Sequence, residues 1–194
     1  MAEMGRLESA ADAIERRVKA CPDNRYQLAL ARMLAIGLDD GDWKRRTENR
    51  EKMLTLGKAA LPALLHALRD KKNHVRWHAA KALSEVHDPE TAPDLINAME
   101  DKDFGVRWLA AEGLIAMGAD ILEPLLRGLR LRFHSHRMLE GTRHVLHVLA
   151  DDGVGGETVK DLLHVLQKSG SPEEVAWAAE RAWEGMRAKP GRSS

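Results

Sequence analysis

Cysteine is all but absent from this chain of 194 residues: Cys21 is its single thiol. One thiol makes neither an intramolecular disulfide nor a thiolate metal cluster, so packing must supply the stability, and a reducing, cytoplasmic setting is expected. A prevailing charge is missing too. Thirty Lys and Arg stand against thirty Asp and Glu, a formal net charge of zero, which removes the global attraction that nucleic-acid binders and membrane-surface proteins exert, though not a local basic strip. Fifteen Gly and seven Pro are too few for a fibrous or disordered chain. No apolar run approaches the roughly 18 residues of a membrane-spanning helix. The first residues, MAEMGRLESAADAIERRVKA, interleave acids with bases, so no signal peptide is expected. What is present is a globular balance, 44% hydrophobic and 31% charged, in a length suited to one domain or about five two-helix units.

Self-comparison gives the organising signal. VRWHAAKAL at Val75 to Leu83 returns as VRWLAAEGL at Val106 to Leu114, a shift of 31 residues. The same shift superimposes Leu61, Pro62, Leu64, Leu65, Leu68 and Asp70 on Ala92, Pro93, Leu95, Ile96, Met99 and Asp101. Each unit reads as helix, turn, helix. In the first helix Leu64, Leu65 and Leu68 share a face, and Pro62 and Pro93 are tolerated because they fall in a first turn. Asp70 and Asp101 end these helices in a polar turn. The second helix sets Val75, Ala79, Leu83 and Val86 on one core stripe, and its alanines let neighbouring helices approach closely.

A looser third copy starts at Ile121, with Leu122, Leu125, Leu126 and Leu129 and then Met138, Val145 and Val148. A fourth spans Val159 to Met186, where VAWAAERAW aligns Trp177 with Trp77 and Trp108. The amino-terminal part predicts helices near Leu7 to Ala20, Arg25 to Ile36 and Trp43 to Leu56, a cap plus a degenerate repeat. The expected organisation is one repeat domain over 1–188, with the cap and degenerate repeat in 1–56, repeats at 57–88, 89–118, 119–152 and 153–188, and a disordered tail at 189–194.

At Pro62 and Pro93, at the Asp70…Val75-Arg76 and Asp101…Val106-Arg107 pairs, in the alanine-rich second helices, and at Gly57 and Gly118, the chain resembles the short HEAT-like repeats of bacterial and archaeal scaffold proteins and of phycobilisome lyases. The resemblance implies an all-α, right-handed α-α superhelix, a solenoid of helical hairpins. It also implies a ladder of Asp and Arg side chains between adjacent repeats, formed here by Asp70, Arg76, Asp101 and Arg107. The third copy keeps Arg137 but has no matching Asp. Deoxyhypusine hydroxylases, helical-repeat enzymes that hold iron with His-Glu dipeptides, are disfavoured because no His is followed by Glu in this sequence.

Two constellations could carry function. His136, Glu140, His144 and His147 fall at spacings of four, four and three on one helix face, where imidazoles and a carboxylate one turn apart can hold a divalent metal; the plainer reading is a solvated polar face. The tryptophans at one repeat position could fill gaps between helices, or could line a groove on the concave surface that second helices form in solenoids. In that groove Trp77, His78, Lys81, Trp108, Glu112, Arg137, Glu140 and His144 would meet a partner. Arg127, Arg130, Arg132, Arg137 and Arg143 add local positive charge, which Glu112, Glu123 and Glu140 dilute, so nucleic acid is the weaker choice. HEAT-like DNA glycosylases use the concave face of such a solenoid, which keeps that reading open. Cys21 has no adjacent His, and Gly153, Gly155 and Gly156 read as a loop between repeats. The expectation is a non-catalytic module that binds another protein or peptide and needs no cofactor. The alternatives are a metal-dependent or lyase-type accessory enzyme at the histidine face, and nucleic-acid binding.

Overall fold

The computed structural model describes residues 24–168 and 171–187, together with positions 13 and 16. Cys21, the helix expected at Leu7 to Ala20 and the tail at 189–194 lie outside these residues. The described residues form ten α-helices joined by turns and short 3-10 segments, with no strand among them. The chain gathers into two compact units, Met1–Val86 and His87–Ser194.

The first unit holds two hairpins, α1 (Asn24–Ile36) with α2 (Trp43–Thr55) and α3 (Leu61–Ala67) with α4 (Asn73–Val86). First helix packs on first helix and second on second, α1 on α3 and α2 on α4. Leu30, Leu34, Met53, Leu64, Val75, Ala79 and Leu83 are buried between them. The helices start where polar side chains can satisfy free amides: Asp42 caps α2 by accepting from the Lys44 N–H at 2.9 Å, and Pro62 opens α3, where no donor is needed.

The second unit continues with α5 (Ala92–Ala98), α6 (Phe104–Ala116), α7 (Leu122–Leu131), α8 (His136–Asp151), α9 (Gly156–Gln167) and α10 (Pro172–Arg187). Here α5 packs on α7 and α6 on α8, as stacked repeats require. The last hairpin departs from this order. Its first helix, α9, packs on α8, a second helix, and its second helix, α10, packs on α7, a first helix. The cause lies in the connection. Helices α3, α5 and α7 are each entered through a 3-10 step, at Gly57–Ala60, Pro89–Thr91 and Gly118–Ile121. Between α8 and α9 that step is missing, and Gly153, Gly155 and Gly156, all at positive φ, turn the chain straight back along α8. Trp177 therefore does not continue the row of Trp108, as the sequence alignment of the fourth copy has it.

Candidate functional site

The sequence-nominated residues of the second unit converge between α6 and α8. Asp103 and Ser135 cap the two helices, accepting from the Val106 and Met138 N–H groups at 3.2 and 3.3 Å. Small residues at the seam draw the helices together: a Cβ on Gly141 would stand 2.8 Å from Met99 Sδ. Along the outer edges, spacings of three and four carry Phe104, Arg107 and Trp108 on α6 and Arg137, Glu140 and His144 on α8. They enclose an open cleft of about 280 Å³ that Met99, Ala111 and Gly141 help to line.

Its aromatic wall is a stack. Trp108 lies 4.8 Å from the His144 ring at 26°, and Phe104 lies 6.3 Å from Trp108 at 28°. The guanidinium of Arg107 stands 5.4 Å over Phe104. His144 Nε2 is 3.2 Å from Glu112 Oε1, so one imidazole holds both Trp108 and the carboxylate one turn along α6. The rings are still open to solvent, with Trp108 46% and Phe104 64% exposed. Large apolar rings left this exposed at the mouth of an apolar cleft are what a binding surface requires and what a core does not.

Two guanidiniums of the cleft lining are anchored at one turn. Arg107 Nη1 donates to the Asp101 and Lys102 carbonyls at 2.9 and 3.3 Å, and Arg137 Nη1 donates to the Glu100 carbonyl at 3.1 Å. In the first unit Arg76, which is 5% exposed, does the same with the carbonyls of Asp70 and Lys71 at 3.0 and 3.1 Å. These arginines thus close the carbonyl end of a first helix, where partial negative charge gathers. Asp70 and Asp101 tighten the same turns by accepting from the N–H two residues on, each at 2.8 Å. Sequence reading missed a third such turn. Asp40 accepts from the Asp42 N–H at 2.8 Å, and Arg46 Nη1 donates to the Asp40 carbonyl at 2.6 Å. The Asp and the Arg six residues later recur at 40, 70 and 101, a spacing that was there to be found.

Trp77, His78 and Lys81 belong to the first unit. Trp77 is 38% exposed and meets the His78 ring edge-on at 5.1 Å. Lys81 Nζ pairs with Glu85 at 2.9 Å. His78 is not a surface residue: it is buried, it accepts from Arg46 Nε at 3.4 Å, and its buried Nδ1 has no hydrogen-bond partner among the described residues. Burial, then the positive charges of Arg46, Arg50 and His74, push its pKa down to about 4. A larger cleft of about 630 Å³ lies beside α1 and α3, with Arg32, Ile36, Asp39, Pro62, His66 and Asp70 in its wall; its lining includes no Phe, Tyr or Trp.

The four residues proposed for a metal are not brought together. His144 turns to Glu112, and His147 Nδ1 pairs with Asp151 at 3.0 Å. Among the described residues no three His, Cys, Asp or Glu side chains gather as metal ligands. Phe104 and Met99 are cleft residues that repeat comparison passed over, because Phe104 aligns with Asn73 and only packing shows Met99 beneath Gly141.

A family model described as HEAT repeats matches residues 11–115 and 61–136. A crystal structure of an engineered protein from a structural-genomics consortium is similar over 92% of this chain and 84% of its own, at 19% identity and a TM-score of 0.39. No curated protein matches the sequence. No helix among the described residues is long and apolar enough to cross a membrane.

Proposed function

The chain belongs to the HEAT-repeat family, and we propose that it is a non-catalytic binding module whose α6–α8 cleft takes a segment of another protein. One observation carries this reading: Trp108 is exposed yet held between Phe104 and His144 over an apolar floor. A ring held in place before binding loses little entropy on contact, so it can anchor a partner at low cost. Trp77, 38% exposed, and Lys81 are the candidate contact residues of the first unit, taken by itself. His78, being buried, supports the fold there and not the contact.

On the histidine face His144 and His147 each meet a carboxylate outside the set proposed for a metal, Glu112 and Asp151, so no observation favours a metal over the peptide reading. The test is selection of displayed random peptides of about 12 residues on the protein, with Trp108→Ala as the counter-target. Peptides that bind the wild type and are lost from a variant with an unchanged melting temperature support the reading. Equal binding to both proteins overturns it.

A further inference from the structure

The cleft has a polarity that the repeat pattern does not disclose. Arg107 and Arg137 come from different helices, yet both spend Nη1 on three successive carbonyls, Arg137 on that of Glu100 and Arg107 on those of Asp101 and Lys102. Two guanidiniums that line the cleft are thereby anchored to one turn before any ligand arrives. A planar guanidinium anchored through one nitrogen keeps other N–H groups for a carboxylate.

The acids nearby each accept a hydrogen bond from the protein itself. Glu100 accepts from Ser135 Oγ at 2.8 Å, Asp101 from the Asp103 N–H, and Asp103 from the Val106 N–H. Glu112 is held by His144. Glu140 is the one carboxylate that lines the cleft, against two arginines. Side chains at the lining act at contact distance, whereas charges further off are screened within about 8 Å at physiological salt, so the lining decides the preference.

We propose that the cleft selects an acidic peptide segment: a large apolar side chain seats against Trp108 over Met99 and Gly141, and an Asp or Glu of the same segment meets Arg107 and Arg137. This rests on the reading of the cleft as a peptide site and adds the chemistry of what it takes.

The selection just described separates the two. Peptides that depend on Trp108 and pair an apolar residue with Asp or Glu are the expected result. For the best of them, made synthetically and titrated by fluorescence, Arg137→Gln weakens binding about tenfold, the worth of one charge-assisted hydrogen bond. Glu140→Gln, one turn away on the same helix, tightens it. Opposite signs from neighbouring variants of similar exposure cannot come from damage to the fold, and circular dichroism of both checks this. Trp108-dependent peptides that are neutral or basic, or an Arg137→Gln variant that binds as well as the wild type, overturn the acidic preference and leave the peptide site standing. No Trp108-dependent peptide at all overturns both.

Discussion

At the scale of single residues, His78 is a buried group whose charge folding controls. Its pKa in the folded protein, about 4, lies below the ordinary value of 6.5, so the unfolded chain takes up a proton first as pH falls. The stability it contributes is fully present above pH 6.5 and is lost between there and about pH 4, an effect of up to about 3 kcal/mol. Urea unfolding followed across this range should show the loss in the wild type, and His78→Gln should flatten that component of the profile. Arg76 is the matching case for a cation. Replacing it with Met removes the donor from the Asp70 and Lys71 carbonyls, in a turn whose own residues are exposed, and should cost about 1 kcal/mol. The equivalent change at Arg107, which is more exposed, should cost less. An equal loss at both sites in urea titrations would contradict this account of their burial.

Among the elements, helix ends show where the sequence was readable and where it was not. Just past α2 and α6 the chain turns left-handed at Gly57 and Gly118, φ 54° and 64°. Past α4 the same turn is made by His87 at φ 53°. A side chain there costs about 1 kcal/mol that glycine does not incur. His87→Gly should therefore raise the melting temperature by a few degrees and Gly118→Ala should lower it; calorimetry of the two variants checks both signs. The internal repeat made the Pro, Asp and Gly positions of the central hairpins legible, because each answers a local demand of the backbone. The last hairpin was not legible in this way. Its apolar spacing, with Val175, Ala179 and Ala182 buried, tells that a face is covered, but spacing does not say by which helix. The three glycines before α9 were the available sign of a reversed packing, and they read only as a loop.

For the whole molecule, the charge balance sets one expectation. With thirty positive and thirty negative side chains, few counterions would be released on contact with a polyanion. Single-stranded DNA should bind weakly at about 50 mM salt and not measurably at about 200 mM, a fluorescence-anisotropy measurement in which tight, salt-steep binding would reverse the preference for a peptide partner. The sequence by itself determined the helical-repeat class, the hairpin boundaries from Pro62 to Gly118, and the candidacy of Trp108, Arg137, Glu140 and His144, because periodicity and turn chemistry are local properties of the chain. Only the tertiary structure decided that His78 is buried, that His144 serves Trp108 and Glu112, that Arg107 and Arg137 meet at one turn, and that α9 and α10 exchange places. Each of these depends on which helix faces which, and that is settled by packing residues distant in the chain against one another.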